Sequence, residues 1–266
     1  MHRVARLAPF AAAASLVPAT LLPSPTCDSP SRFSASLARH KQAESATRAR
    51  WIKDEENWRK LPARAWPPAQ PDEDALPACE AAAVAKCGGA RDKECLDAEF
   101  LLATCRFFTG ADPVKGFAGY KRNAEAGHLD SMVGVGVCLT ENYIAPADAG
   151  MGEAEAVAHL RRAAELGSLQ ATFELGVLYY TGTSDSVPAD ERMAAACFEK
   201  AARQGHTAAQ YMVADMITEG EGGLERDFVR ALDLFYAAAE KGHRFSRQQF
   251  LACLDGRHKL CKLANR

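Results

Sequence analysis

The sequence predicts an all-α fold, a right-handed solenoid of stacked helix hairpins that spans about residues 76–256. Three observations predict it. A glycine recurs every 37 to 40 residues, an alanine pair precedes three of these glycines, and apolar residues recur at helical spacing on both sides of each one. A period of this length is typical of paired helices that must stack on their neighbours to bury their apolar faces.

The segment before each repeat glycine has the pattern of a helix with one apolar face. The positions eleven, seven, four and three residues before the glycine share one side of an α-helix. Small residues occupy the first of these positions and large apolar residues the second. The four glycines end the helix and turn the chain, since glycine readily adopts the left-handed conformation. They are Gly127, Gly167, Gly205 and Gly242, preceded at seven residues by Tyr120, Leu160, Phe198 and Phe235.

A second helical pattern follows each glycine. Its first fixed position holds a small residue, four residues after the glycine, and its second holds a large apolar one, eight residues after. Small residues let two helices approach closely, and large ones fill the space beside them. The small residues are Ser131, Ala171, Ala209 and Ser246, and the large ones are Val135, Leu175, Val213 and Phe250.

The two best-kept copies are AVAHLRRAAELGSLQATFELGVLYYTG and AACFEKAARQGHTAAQYMVADMITEG. They resemble the Sel-1-like repeats, relatives of the tetratricopeptide repeats, and the resemblance covers about residues 112–256. The sequence departs from the family phrase where His159, Cys197 and Leu234 replace its tryptophan. The resemblance implies that loops such as TGTSDSVPADE join the two helices of one unit. It also implies that the first helix of each unit lines a concave surface.

The function expected from this resemblance is that of a non-catalytic scaffold, which binds a partner protein or peptide on the concave face. An organelle assembly factor for a respiratory complex is a special case of it. Positions on that face that lie outside the core columns are the candidate contacts. They are Glu174, Gln210, Asp215, Arg247 and Gln249.

The alternative function is a hydrolase, since some proteins with these repeats have been described as weak β-lactamases. The sequence offers no support for it: no serine begins an S-x-x-K motif, and G-x-S-x-G, the P-loop and H-E-x-x-H are absent. His128, His206 and His243 each follow a repeat glycine, which favours a structural role. No catalytic residue, metal ligand or cofactor is therefore predicted.

Charge and hydropathy limit the partners. The net charge of −2 and a pI near 6.4 give no electrostatic case for nucleic acid. No apolar run reaches the length of a membrane-spanning helix, apart from a borderline stretch at the extreme N-terminus, so no integral span is expected in the mature protein. The oligomeric state stays open.

Four cysteines cluster in residues 79–105, with C-x₇-C followed by C-x₉-C. Two short helices joined by GGARDK would place Cys87 near Cys95 and Cys79 near Cys105. The spacing resembles, in part, the twin-cysteine helical hairpins of the mitochondrial intermembrane space. Disulfides of this kind persist in oxidising compartments. The other interpretation is a degenerate first repeat with reduced cysteines.

The regions outside the repeats have distinct compositions. Residues 1–45 are predicted to be a targeting or disordered leader outside the fold, because residues 1–50 carry six arginines and only two acids. This composition favours a mitochondrial or plastid transit peptide over a secretory signal, and the cysteines suggest the mitochondrial intermembrane space, with plastid or secretory targeting as the alternatives. A Trp/Pro-rich arm (46–75), the Cys-rich hairpin (76–111), the repeats (112–256) and a C-terminal tail (257–266) complete the predicted organisation.

Overall fold

The computed structural model describes residues 30–42, 75–88, 92–183 and 187–257. Within these ranges every regular element is a helix, so the predicted all-α fold of helix hairpins is confirmed. The rest of the predicted leader, the three tryptophans of the arm and most of the tail lie outside the described residues. The helices are α1 Pro30–Gln42, α2 Leu76–Lys86, α3 Lys93–Phe108, α4 Pro113–Glu125, α5 Leu129–Thr140, α6 Pro146–Ala149, α7 Glu153–Glu165, α8 Leu169–Thr181, α9 Glu191–Arg203, α10 Thr207–Glu219, α11 Phe228–Glu240 and α12 Arg244–Leu254.

The chain divides into two compact units. The central unit comprises residues 65–189 and contains α2 to α8. The terminal unit comprises residues 190–266 together with residues 1–64, and it contains α1 and α9 to α12.

In the central unit each helix packs on its neighbours in the chain. The α3 and α4 helices form one closely packed pair and α5 and α7 form another, while α4 packs on α5 and α7 on α8. Gly136 of α5 faces Leu160 of α7 so closely that a methyl group in its place would lie 2.2 Å from the leucine Cγ. The small-residue column predicted from the sequence is therefore the place where two helices meet.

The terminal unit repeats this arrangement with α9 on α10, α10 on α11 and α11 on α12. Its predicted core columns are buried: Ala194, Phe198, Ala231 and Phe235 are each at most 1% exposed. Burial of these side chains removes a continuous apolar surface from water, which is the main stabilising contribution in a stack of hairpins.

The tight turn between α9 and α10 shows why the repeat needs its glycine and the residue after it. Gly205 has φ of 90°, the left-handed conformation that other residues adopt only with strain. His206 then begins the next helix as its N-cap, because its Nδ1 accepts a hydrogen bond from the backbone N–H of Ala209 at 3.2 Å. His128 and His243 cap α5 and α12 in the same way.

The structure differs from the sequence-based expectation for part of residues 1–45. Residues 30–42 form α1, and this helix packs against α11 and α12 of the terminal unit. Ser36 is fully buried, and the His40 side chain is 18% exposed. The leader composition does not reveal this contact, because it depends on side chains about 200 residues further along the chain.

Among the described residues, no helix has both the length and the apolar character that a membrane crossing requires.

Candidate partner-binding surfaces

The five residues predicted as partner contacts do not share one environment. Asp215 of α10 and both Arg247 and Gln249 of α12 are half-buried and reach the surface of the terminal unit. Their assignment as contacts for another protein stays a prediction.

Glu174 and Gln210 are not available, and their prediction as contact residues is corrected here. Glu174 is 3% exposed and accepts a hydrogen bond from the side-chain amide of Gln170 at 2.7 Å. Gln210 is 8% exposed and donates to the carbonyl of Ala202 at 3.4 Å. A local hydrogen bond satisfies part of each polar group, which lets a polar side chain take an interior position.

A groove in the central unit was not anticipated from the sequence. It lies between α2, α3 and α4 and has a volume of about 230 Å³. Apolar side chains of α2 and α3 form part of its wall, and one of them, Val84, is 78% exposed. The Val84 side chain is therefore open to contact by a molecule that enters the groove.

Three cations line the same groove, Arg106 of α3 and Lys115 and Arg122 of α4. One acid, Glu99, lies among the lining residues, and two further acids beside the groove also pair with its cations. The cations sit in exposed ion pairs: Arg106 with Glu80 at 3.1 Å, Lys115 with an aspartate of its own helix turn at 2.9 Å, and Arg122 with Glu99 at 3.6 Å. Exposed pairs contribute little, on the order of 1 kcal/mol or less, so a partner's carboxylates can replace them.

Two disulfides fix the helix that forms one wall of this groove. Cys79 of α2 is bonded to Cys105 of α3, and Cys87 after α2 is bonded to Cys95 of α3. These are the pairings that the helical spacing predicted. The α2 helix has a single buried residue, Ala83, so its apolar contact with α3 is small. The disulfides are therefore the principal attachment of α2 to the central unit.

The same disulfides bear on a candidate metal site. Cys87, Cys95 and Glu99 place a sulfur, a sulfur and a carboxylate oxygen within 4.8 Å of one another. The two sulfurs are bonded to each other, and a metal ligand must be a thiolate. In the oxidised chain this cluster therefore offers only its carboxylate.

The histidines of the repeat column have structural roles. Nδ1 of His128, His206 and His243 accepts a backbone N–H, which leaves only Nε2 for other chemistry. Nε2 of His128 lies 3.0 Å from Asp97. Burial lowers the pKa of His206 and His243 to about 4, so both rings are neutral at physiological pH.

Two described thiols are poor nucleophiles. Burial raises the pKa of Cys138, which is fully enclosed in α5, and also raises the pKa of Cys197 in α9. A thiol with a raised pKa stays protonated near neutral pH, and the thiolate is the reactive form. These positions act as small apolar residues of the core.

Stacked helix hairpins with tight glycine turns define this protein as an α-helical repeat protein. Residues 153–168, 169–206 and 207–243 match the Sel1 repeat, and the first of these segments contains only α7. The predicted resemblance to Sel-1-like repeats is thus confirmed, whereas the partial resemblance to twin-cysteine hairpins stays a prediction.

Two solved structures are similar to the chain. A protective antigen present in uropathogenic Escherichia coli strains, which displays an SLR fold, is 27% identical with a TM-score of 0.53 over 68% of this chain. The match spans 36% of that structure's length. A Sel1 repeat protein from Oxalobacter formigenes is 28% identical and matches 50% of this chain and 94% of its own, with a TM-score of 0.43. No curated protein sequence matches the chain significantly.

Proposed function

We propose that the protein is a non-catalytic scaffold that holds an acidic segment of a partner protein in the groove between α2, α3 and α4. Sel1 repeat proteins are generally protein-interaction scaffolds, which supports the coarse assignment. The assignment of an acidic segment as the ligand rests on one observation, an open groove that combines the exposed Val84 with the cations Arg106, Lys115 and Arg122. An apolar side chain of the partner would contact Val84, and its carboxylates would pair with the cations.

Asp215, Arg247 and Gln249 provide a second proposed contact surface on the terminal unit. They lie on α10 and α12, the first helices of their repeats, next to core columns that are tightly packed. Polar side chains on a rigid helix give specificity, and because the helix is already ordered, binding to it costs little conformational entropy.

Site-specific photo-crosslinking in the native compartment tests the groove. A photoreactive amino acid at position 84 should trap one partner, and the matched control at position 101 should not. Leu101 is 54% exposed on α3, but it does not line the groove. The adduct at position 84 should disappear when Lys115→Glu and Arg122→Glu are combined. Equal adducts at both positions, or an adduct indifferent to the charge reversal, would refute the groove as the binding site.

We further propose that this scaffold acts in a mitochondrion, in the intermembrane space, as an assembly factor for a respiratory complex. Two observations support it: the Arg-rich, acid-poor leader and the two disulfides between α2 and α3, which persist in oxidising compartments. Plastid and secretory addresses are the alternatives.

A fluorescent protein fused behind residues 1–50 tests the address, because this segment carries all six arginines of the leader and only Arg3 and Arg6 precede residue 30. Mitochondrial import of the fusion, with non-reducing peptide maps showing both disulfides in the endogenous chain, is the expected result. Secretion of the fusion, or four free thiols in the endogenous chain, would contradict the proposal. If the address is mitochondrial, depletion of the protein should lower the level of one assembled respiratory complex.

A further inference from the structure

The last Sel1-type unit in the described residues is incomplete. In two other units a first helix packs on the second helix that follows it after a loop, as α5 does on α7 and α10 on α11. The α12 helix has the buried columns of a first helix, with Ser246 and Phe250 both at most 1% exposed, but no second helix follows it among the residues described up to 257. In a stack of repeats such an end needs a cover for its apolar side.

The α1 helix provides that cover. It contacts α11 and α12, the two helices of the terminal unit that lie at this end. Its Ser36 is fully buried, and its His40 forms a ring cluster with Tyr236 and Phe250, with centroids 4.8 and 5.1 Å from the imidazole. The same imidazole reaches Asp233 at 3.2 Å between Nε2 and Oδ1.

This contact has the composition of a recognition site for a helical peptide. Ser36 and His40 are four residues apart and therefore lie on one face of α1. On the opposite side, Asp233 and Tyr236 are three residues apart on one face of α11, and Phe250 of α12 closes the cluster. Ser36 is small and allows close approach of the helices, the His40 imidazole contacts the rings of Tyr236 and Phe250, and the Asp233 carboxylate pairs with the imidazole Nε2.

The rest of α1 indicates that the contact is releasable. A 13-residue helix is marginally stable alone in water, so α1 needs the docking surface to fold. Because α1 belongs to the same chain as its docking surface, the contact is intramolecular, which keeps a weak ligand bound without a large interface.

We propose that α11 and α12 form a docking site for an amphipathic helix, and that residues 30–42 are its ligand in cis, covering the apolar side of α12. The occupant is a helix with a small residue and, four positions later, a histidine. Removal of residues 1–45 as a targeting leader would empty this site and expose Tyr236 and Phe250.

A peptide of residues 28–44, labelled with fluorescein, tests the proposal by fluorescence anisotropy on the full chain. The wild-type chain should bind it at least about tenfold more weakly than a full chain with Ser36→Glu, whose own α1 is released by the charge at a buried position. This substitution leaves α9 to α12 unchanged, so the repeats keep their fold, and a thermal melt by circular dichroism checks it. The same peptide with His40→Ala should lose most of its binding.

Two further measurements keep the result decisive. In the Ser36→Glu chain, Asp233→Arg should weaken the peptide, and since Asp233 is 55% exposed the change does not disturb the core. In sedimentation, the wild-type chain should show no dimer that depends on α1. Equal peptide affinity for wild-type and Ser36→Glu chains would overturn the proposal. So would a dimer that dissociates with Ser36→Glu, because α1 would then belong to a second copy.

Discussion

Gly136→Ala in the central unit is expected to destabilise the protein, although alanine is the better helix former. The added methyl would lie 2.2 Å from Cγ of Leu160 and 2.7 Å from each of its Cδ atoms, and Leu160 is fully buried with no free space to move into. Overpacking of this kind costs roughly 1–3 kcal/mol, against a gain of about 0.5–1 kcal/mol from replacing a helical glycine. The expected net loss is about 1–2 kcal/mol, measured by urea denaturation.

Two companion variants isolate the cause of this loss. Gly88→Ala adds a methyl whose nearest neighbour, the carbonyl oxygen of Val84, lies 4.0 Å away, so its stability should stay within about 0.5 kcal/mol of wild type. Leu160→Ala alone should cost about 2–5 kcal/mol, but the double variant with Gly136→Ala should lose less than the sum, because the smaller side chain leaves room for the methyl. Additive losses, or a stabilising Gly136→Ala, would refute the close approach of α5 and α7.

Three other outcomes are expected. Ala201→Leu, at a fully buried position of α9, should lower the unfolding midpoint, whereas Ala196→Leu on the exposed side of the same helix should leave it nearly unchanged. Burial holds the pKa of His206 and His243 near 4, below the 6.5 of the unfolded chain. The free energy of unfolding should therefore have its full value above about pH 6.5 and fall towards pH 4, by up to about 3 kcal/mol per ring. Serine at both positions should remove this acid sensitivity and still cap the two helices, since Ser168 is the N-cap of α8. An unchanged pH profile in the double variant would contradict the assignment to these histidines. Reduction of both disulfides should raise the rate of hydrogen exchange in α2 before that in any other described helix, because closing a loop of 26 residues stabilises a fold by about 3 kcal/mol. An equal rise in all helices would contradict the disulfides as the main attachment of α2.

The repeated core could be predicted from the sequence because its spacing is dictated by local geometry. Four residues bring a side chain round to the same face of a helix, so the columns at Leu160, Phe198 and Phe235 identify the buried side without knowledge of their neighbours. The cysteine pairs follow from the same rule, since the rise of a helix sets which sulfurs can meet across a hairpin.

The features that escaped prediction depend on contacts between distant segments. Glu174 and Gln210 are polar, and polarity suggests the surface, but hydrogen bonds to Gln170 and to the carbonyl of Ala202 allow their burial. Docking of α1 depends on Tyr236 and Phe250, far along the chain, and a composition typical of leaders concealed it. The groove beside Val84 results from the packing of three helices, and the apolar spacing within one helix does not predict how three helices pack.

Hydrogen exchange of the full chain, with and without the partner trapped at position 84, tests the scaffold proposal most directly. Partner binding should slow exchange in α2, in the second half of α3 and in α4, where Val84, Arg106, Lys115 and Arg122 line the groove, and leave α9 unchanged. No protection in these three helices, or protection that the combined Lys115→Glu and Arg122→Glu variant retains, would contradict the account.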